Sequence, residues 1–333
     1  MLVCVTDAHF DPNDSNGKQI TYQGHTFSSR LLDKINIYKT AVEFAIQNKA
    51  TYFVDAGDTI NQLNPPEWIR DWIKNEILLP LIENQIHTYF IAGNHGTEKV
   101  STAFQSFHKF NPYFHFVYDT FVDIVDFRLI PFVPLKEEAK LKEWLTDCPK
   151  RIITHLPVKG AAGESGYILD GFSPELFKQQ PTIYSGHFHR PQKYYNIVYI
   201  GAMAVNKWDE IKDKHYFCYY NFDEKKMKFQ ELTDRTFLSF ESIEDIPNKL
   251  SSDCIVQLKI SGTKAEFAKF PKNEVIKSLY DKGAYLVKYQ PTVINTEAQK
   301  TINSVNSVAN LIVDYAKNDQ KKIQIANHLL YME

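Results

Sequence analysis

The chain has 333 residues, of which 44% are hydrophobic, and it carries a formal net charge of -2 at neutral pH. The hydrophobic content is high enough for a packed core and excludes an intrinsically disordered chain. The near-balance of charge excludes a protein whose whole surface is cationic for nucleic acid, although it leaves room for a local basic patch.

The first part of the chain predicts strands that alternate with helices. Short apolar runs indicate buried strands, and apolar residues at helical spacing indicate amphipathic helices. The predicted elements are strands at Leu2–Thr6, Thr51–Val54 and His87–Ala92, and helices at Arg30–Asn48 and Asn64–Leu81. We expect Asn64 to cap the second helix, because Pro65 then falls in the first turn, where proline is tolerated.

The middle of the chain is richer in strands. The predicted elements are strands at Phe114–Tyr118, Phe121–Val125, Phe127–Val133, Arg151–Thr154, Pro181–Ser185, Tyr195–Ile200, Tyr216–Phe222 and Lys226–Leu232, and a helix at Leu135–Leu145. Polar residues lie just past the carboxyl ends of several strands, which is the edge where ligands bind in α/β sheets. The pattern over residues 1–240 therefore predicts an α/β domain built as a two-sheet sandwich flanked by helices.

The pattern changes after about Phe240. Strands at Cys254–Ile260 and Ala284–Gln290 enclose a helix near Asn273–Asp281, which predicts a small α+β domain over residues 241–293. Residues 294–333 show only helical pattern, with two apolar stripes: Ile302, Val305, Leu311, Ile312 and Tyr315, then Ile323, Ala326, Leu329 and Leu330. Two short amphipathic helices need a further surface to bury such stripes, either on this chain or on a partner.

Cysteine usage and hydropathy indicate the compartment. The four cysteines, Cys4, Cys148, Cys218 and Cys254, are far apart and form no CxxC pair, so we interpret them as buried free thiols in a reducing environment. No stretch approaches the roughly 18 consecutive apolar residues of a membrane helix, and the N-terminus does not resemble a signal peptide. We expect a cytoplasmic protein without a membrane partner.

Five polar segments each follow a predicted strand directly. They are Asp7-x-His9, Gly57-Asp58, Gly93-Asn94-His95, Thr154-His155 and Gly186-His187-x-His189. Each segment alone is usually structural or solvated, but the ordered set of carboxylate, amide and imidazole groups suits Mn, Fe, Zn or Mg. The set therefore predicts a metal site.

The spacing within these segments has a mechanical reason. Residues i and i+2 on an extended backbone point the same way, so both can reach one site. We expect the glycines before Asp58, Asn94 and His187 to let the chain turn tightly beside bound ions. A carboxylate such as Asp58 can bridge two cations, and two cations can clamp a phosphate between them. The interpretation is a dinuclear centre.

The ordered set resembles the calcineurin-like metallophosphoesterase superfamily over about residues 1–240. The resemblance implies one metal held by Asp7, His9, Asp58 and His189, and a second held by Asp58, Asn94, His155 and His187. It implies that His95 is catalytic, as a general acid or transition-state stabiliser that does not bind metal. One departure is Gly96, which stands where the family usually has an acid; Glu98 is a candidate substitute.

Three hypotheses for the activity remain. The first is a DNA nuclease of the SbcD type, related to phage recombination-endonuclease subunits. The second is a phosphomonoesterase or a phosphodiesterase for small molecules, and the third is a non-catalytic scaffold, which the seven intact ligand positions disfavour. The nuclease is favoured because Tyr199–Ala202 with Trp208–Glu210 resembles the end of the SbcD-type catalytic domain. The α+β piece at residues 241–293 also lies where that family carries a small DNA-capping domain, and the helical tail at residues 294–333 lies where the family binds its ATPase.

The SbcD-type resemblance implies two Mn ions, with Mg, Fe or Zn as alternatives, and DNA as substrate. It implies 3′-to-5′ exonuclease action on duplex ends and endonuclease action on single strands, in recombination and double-strand-break repair. An SbcC-type coiled-coil ATPase would bind the tail, with a homodimer of this chain inside a heterotetramer. Candidate DNA contacts, which more often are only a solvated face, are Lys159, Arg190, Lys193, Lys207, Lys212, Tyr194 and Trp208.

Overall fold

The computed structural model describes residues 1–62, 64–95, 111–163 and 170–294. The predictions about Glu98 and about the helical tail fall outside these residues. The chain divides into two compact units, Met1–Phe237 and Leu238–Glu333.

The first unit contains the elements that carry the predicted metal site. Its strands are β1 (Leu2–Val5), β2 (Gln19–Tyr22), β3 (His25–Ser28), β4 (Tyr52–Asp55), β5 (His87–Ile91), β6 (Phe114–Val117), β7 (Val122–Ile124), β8 (Phe127–Ile130), β9 (Arg151–Thr154), β10 (Ile183–Ser185), β11 (Gln192–Tyr194), β12 (Ile197–Tyr199), β13 (His215–Asn221) and β14 (Lys226–Leu232). Its described α-helices are α1 (Ser29–Gln47), α2 (Glu67–Ile73), α3 (Leu79–Glu83) and α4 (Glu138–Leu145). A π-helical segment, Lys74–Leu78, joins α2 to α3.

Two six-stranded sheets form the frame of this unit. The first has the order β14-β13-β1-β4-β5-β6, and the second has the order β11-β12-β10-β9-β8-β7. Strands β1, β4, β5 and β6 run parallel to one another, as do β8, β9, β10 and β12, while the remaining strands are antiparallel. The predicted α/β two-sheet sandwich is confirmed.

Alternation along the central strands separates the cores. Leu2 and Cys4 of β1 lie in a core shared with residues of the second sheet such as Phe127 and Ile153. Val3 and Val5 face the opposite way and pack with apolar residues of α1, α2 and α3. On the outer face of the second sheet, a third core contains residues of α4. Each sheet is therefore apolar on both faces, which explains why its strands read as continuous hydrophobic runs.

Helix α1 begins where the sequence placed it. The Ser28 side chain accepts a hydrogen bond from the backbone N–H of Arg30, which satisfies one of the unpaired donors of the first turn. Two strands before it, β2 and β3, form a hairpin that the sequence did not predict. Residues 19–22 of the hairpin are mostly exposed, so they lack the apolar alternation that marks a half-buried strand.

The second predicted helix begins later than expected. Asn64 is not its cap; Pro66 is the residue before the helix, and Glu67 is the first helical residue. The reason is the Pro65-Pro66 pair, because a residue that precedes proline is driven away from helical backbone angles. The apolar face of this region is nevertheless as predicted, with Ile73 and Ile77 buried.

The second unit contains a three-stranded sheet in the order β15-β16-β17, where β15 is Phe237–Phe240, β16 is Ile255–Gly262 and β17 is Leu286–Val293. Helices α5 (Lys264–Lys269) and α6 (Lys272–Asp281) connect β16 to its parallel partner β17. Its small core contains Cys254, Val256, Leu258 and Leu279. This is an α+β arrangement, with strand β15 and helix α5 in addition to the elements that the sequence predicted.

Among the described helices, none is long and apolar enough to cross a bilayer. All four cysteines are free and buried. Cys4 and Cys218 are directly opposite each other on β1 and β13, and burial together with the neighbouring Cys218 thiol raises the pKa of Cys4 well above its usual value. These thiols are packing residues of the core.

Candidate metal centre

The loops that carry the predicted ligands meet at one edge of the sandwich. Asp7 and His9 follow β1, Asp58 follows β4, and Asn94 follows β5, three parallel strands of the first sheet. His155 follows β9, while His187 and His189 follow β10, two parallel strands of the second sheet. All seven predicted ligands therefore come together in space, as the strand-end argument required.

Four of these ligands have unusual backbone conformations. The φ angles are 53° at Asp7, 46° at His9, 55° at Asp58 and 85° at His187, in the left-handed region that side chains other than glycine rarely adopt. Such residues cost roughly 1–3 kcal/mol each and persist only where their surroundings hold them. Here the Asp7 N–H donates to the carbonyl of Gly57 at 3.0 Å, and the His9 N–H donates to the carbonyl of Asp58 at 2.9 Å.

The three glycines beside the ligands are required for two different reasons. Gly57 has a φ of 108°, so it makes the turn that the sequence predicted. Gly93 and Gly186 are needed for space instead: a Cβ on Gly93 would lie 2.0 Å from Asp58 Oδ1, and one on Gly186 would lie 2.0 Å from Thr6 Oγ1. The prediction that all three serve tight turns is therefore corrected to one turn and two close approaches.

The first predicted ligand group is almost fully buried. His9 Nε2 and His189 Nε2 are 3.0 Å apart. Asp7 Oδ1 lies 3.8 Å from each of these nitrogens, and Asp58 Oδ2 lies 3.7 Å from His9 Nε2. Two imidazole nitrogens and two carboxylate oxygens thus converge on one small volume.

The second predicted group shares Asp58 with the first. His155 Nε2 lies 3.2 Å from Asp58 Oδ2 and 3.2 Å from Asn94 Oδ1. His187 Nδ1 lies 2.7 Å from the same Asn94 oxygen. Because Asp58 Oδ2 stands between His9 on one side and His155 on the other, this one carboxylate oxygen faces both groups.

Hydrogen bonds behind the imidazoles decide which ring nitrogen faces the centre. His155 Nδ1 lies 2.8 Å from the carbonyl of Ala56, so it carries the proton and Nε2 is left as the ligand atom. His189 Nδ1 lies 2.7 Å from Glu210 Oε1, and His9 Nδ1 lies 3.3 Å from Asn61 Oδ1. Sequence reasoning noted Glu210 only within the Trp208–Glu210 segment and gave it no role at the metal site, and it did not note Asn61, because nothing in their spacing joins them to His189 and His9.

The electrostatics of the cluster favour bound positive charge. Burial disfavours a charged carboxylate, yet His155 and His9 hold the pKa of Asp7 at about 2. Burial likewise acts against ionisation of Asp58, but His155 and His9 lower its pKa. Burial also lowers the pKa of an imidazole, but Asp58 and Asp7 outweigh it at His155 and raise that pKa to about 9. The carboxylates therefore stay ionised and draw a cation, either a proton or a metal, among them.

Metal cations fit this donor set. Three groups of Asp and His in the described residues place their ligand atoms within 4.8 Å of one another: Asp7, His9 and His189; Asp7, Asp58 and His155; and His9, Asp58 and His95. The Nε2 atoms of His155 and His189 face carboxylate oxygens, an arrangement that only a proton or a metal between them makes favourable. The residues present could hold two divalent cations, and the chemistry of the donors does not identify which metal.

His95 lies beside the first group. Its backbone N–H donates to Asp58 Oδ1 at 2.9 Å, its ring packs edge-on against His9 with centroids 4.8 Å apart, and 43% of its side chain is exposed. Its Nε2 lies 4.0 Å from Asp58 Oδ2. The ring is thus anchored at the centre and open to the cleft, a position that suits a group acting on substrate.

An open cleft of about 510 Å³ leads to the cluster. Its lining includes Asp11, Asp14, Lys34 and Lys207 in addition to five of the seven predicted ligands, His9, Asp58, Asn94, His187 and His189. Of the seven candidate DNA contacts, Lys207 lines this cleft, whereas Arg190 pairs with Asp213 and Trp208 packs edge-on against Phe237.

His25 is not part of this cleft. Its ring stacks on Trp68, with centroids 4.7 Å apart, in a separate aromatic cleft beside the hairpin. Although His25 is close to Asp7-x-His9 in the sequence, the β2–β3 hairpin places it against Trp68 of helix α2.

Comparison with known proteins found a likeness among solved structures. No protein-family model matches the chain, and no curated protein sequence matches it. Among solved structures, the chain is similar to a dimetal phosphatase from Danio rerio, with 12% sequence identity and a TM-score of 0.42. The match covers 69% of this chain and 95% of that protein.

Proposed function

We propose that this protein is a metal-dependent phosphoesterase with a dinuclear centre. The observation that carries the proposal is the position of Asp58, whose Oδ2 lies 3.7 Å from His9 Nε2 and 3.2 Å from His155 Nε2. One cation would be held by Asp7, His9, Asp58 and His189, and the other by Asp58, Asn94, His155 and His187. When bound, the two cations would neutralise a phosphate and activate water for attack on phosphorus.

The chain's own residues would do the remaining work. His95 is exposed to the cleft while its backbone is fixed on Asp58 Oδ1, so its ring can move a proton to the oxygen that leaves phosphorus. The outer hydrogen bonds to Ala56, Asn61 and Glu210 keep the imidazoles in the orientation that binding requires. Burial of Asp7 and His155 excludes water from the inner side of the centre.

Within this class we propose DNA as the substrate, in an SbcD-type reaction with Mn. The sequence resemblance supports this choice, and so does one lysine-rich segment of the second unit, although residues 238–294 as a whole carry a net charge of only +1. From Cys254 to Ile294, seven lysines stand against three acidic residues, an excess of four positive charges in a chain whose net charge is -2. Phosphate backbones are bound through such lysines. The alternative is a phosphodiesterase or phosphomonoesterase acting on a small molecule, which would use the same centre.

A direct assay separates these activities. The purified chain would be incubated with Mn and with labelled single-stranded DNA, labelled duplex DNA, an aryl phosphodiester and an aryl phosphomonoester. We expect Mn-dependent cleavage of DNA that chelation stops, with Asp58→Ala as the inactive control. Turnover of an aryl ester without cleavage of DNA would assign a small-molecule substrate, and no turnover of any of them would overturn the phosphoesterase proposal.

We also propose an SbcC-type coiled-coil ATPase as the partner, docked on the helical tail. The structure determines where a truncation can be made: β17 runs to Val293, so the chain should be cut after Ile294 rather than inside that strand. We expect the truncated protein to keep Mn-dependent cleavage of short single strands and to lose co-purification with the ATPase. Binding of the ATPase at full affinity after truncation would exclude the tail as the docking element.

A further inference from the structure

Glu210 is a buried carboxylate behind the metal centre. Its relative exposure is 0%. Its Oε1 lies 2.7 Å from His189 Nδ1, and its Oε2 accepts a hydrogen bond from the backbone N–H of Asn206 at 2.7 Å. A buried carboxylate is tolerated only when its oxygens are bonded, and here one oxygen is bonded to a predicted ligand and the other to the loop that carries Glu210 itself.

The loop that carries Glu210 is held in place from the side of helix α1. The buried Arg30 guanidinium donates to the carbonyl of Val205 at 3.0 Å and also binds the carboxylate of Asp234. The same carboxylate accepts the Val205 N–H at 2.9 Å. Because both backbone groups of Val205 are fixed, the segment from Val205 to Glu210 has little freedom to withdraw from His189.

The three imidazoles with outer partners are not equivalent. His155 has a backbone carbonyl as its partner and His9 has the side-chain amide of Asn61, both of which are neutral acceptors. His189 has a charged carboxylate. A charged acceptor holds the proton on Nδ1 more firmly and makes Nε2 a stronger ligand. The difference applies to one predicted cation position only, the one shared by Asp7, His9 and His189.

We propose that Glu210 is a positioning residue that fixes the ring of His189 and thereby sets the affinity of that one cation position. This inference rests on the proposed dinuclear centre and goes beyond it, because it makes the two positions unequal. It follows that removing the charge of Glu210 weakens one of two bound cations and leaves the other in place.

The test is a metal titration of the full chain. Metal-free wild-type protein and its Glu210→Gln variant would be titrated with Mn at fixed pH, with free Mn followed by its electron paramagnetic resonance signal. We expect two equivalents in the wild type, and in the variant a loss of about 10- to 100-fold in the affinity of one equivalent. Asp209→Asn, which removes an exposed carboxylate from the same loop, should bind as the wild type does.

A second variant and a stability measurement keep the test decisive. A glutamine has one oxygen and one NH2 group, so its NH2 group could face the Asn206 N–H and destabilise the loop. The midpoint of thermal unfolding of each metal-free protein is therefore measured as well. Glu210→Asp keeps the charge and should bind more tightly than Glu210→Gln. A wild-type protein that binds no Mn would overturn the dinuclear centre itself. Two equivalents at wild-type affinity in Glu210→Gln, or equal weakening of both, would overturn the role of Glu210 and leave the centre standing.

Discussion

At the scale of single residues, His95 and Asp58 are neighbours with different expected roles. His95→Asn should lower turnover by at least ~100-fold, because a positioned proton donor is lost. Its metal content should stay at the wild-type level, since the proposed ligand sets do not include His95. Asp58→Ala should lose both metal and activity. Steady-state kinetics together with metal analysis of the purified variants would check these outcomes.

The position of His95 also defines the result that would contradict its assignment as a proton donor. His95 offers a ring nitrogen to a group that contains His9 and Asp58. If His95→Asn and Asp58→Ala lost metal to the same extent, His95 would be a ligand and not a proton donor.

Gly93 offers a test of the centre that changes no ligand. In Gly93→Ala the new Cβ would lie 2.0 Å from Asp58 Oδ1 and 2.6 Å from the Asp58 backbone nitrogen. Asp58 would have to move, so we expect Mn affinity to fall while the overall fold, followed by circular dichroism, is kept. Gly262→Ala is the matched control, because its nearest contact is the flexible Glu266 carboxylate at 3.2 Å. Wild-type Mn affinity in Gly93→Ala would show that the loop accommodates the methyl group.

The residue types of the centre could be predicted, and their supports could not. Asp7, His9 and Asp58 follow apolar runs, so the ends of strands mark them in the sequence. Glu210 is 21 positions from His189, and Asn61 is 52 positions from His9. No spacing rule joins residues that only the folded chain brings together. The left-handed backbone at the ligands is likewise a product of the assembled loops.

At the scale of elements, Arg30 and Asp234 tie helix α1 to the segment after β14. Although burial disfavours the charge of Asp234, Arg30 lowers its pKa. A depressed folded pKa gives stability that is present above the unfolded value of about 3.9 and is lost as pH falls through the folded value. Asp234→Asn should therefore destabilise the protein by about 3 kcal/mol at pH 7, and the difference from wild type should shrink below about pH 4. Denaturant unfolding at several pH values would measure it, and a difference independent of pH would exclude the ion pair as its source.

Elements with a clear apolar periodicity could be predicted from the sequence. An exposed hairpin and a helix start set by prolines could not. Helix α1 and strands β1, β4 and β5 lie where periodicity placed them. The β2–β3 hairpin was not predicted because residues 19–22 are mostly exposed and show no apolar alternation. The predicted start of α2 at Asn64 was wrong because the two consecutive prolines override the capping preference of Asn64.

At the scale of the whole molecule, the proposed cations would join the two sheets. Ligands after β1, β4 and β5 belong to one sheet, and those after β9 and β10 belong to the other. Mn should therefore raise the free energy of unfolding, by about 2.7 kcal/mol for each bound cation when free metal is 100 times its dissociation constant. The gain should diminish as pH falls below about 9, the raised pKa of His155, because a protonated imidazole does not bind metal. Thermal unfolding with and without Mn would show this, and an equal response in Asp58→Ala would assign the effect to other sites.

The position of β1 in the first sheet also determines when this sheet can form during synthesis of the chain. All four residues of β1 are 0% exposed, yet its neighbours are β4 at residues 52–55 and β13 at residues 215–221. During synthesis one side of β1 must wait until His215–Asn221 has left the ribosome, so an apolar strand edge stays open through most of translation. Fragments that end before His215 should aggregate even though they contain every proposed ligand, and chaperone dependence in cells should be set by this late strand pairing.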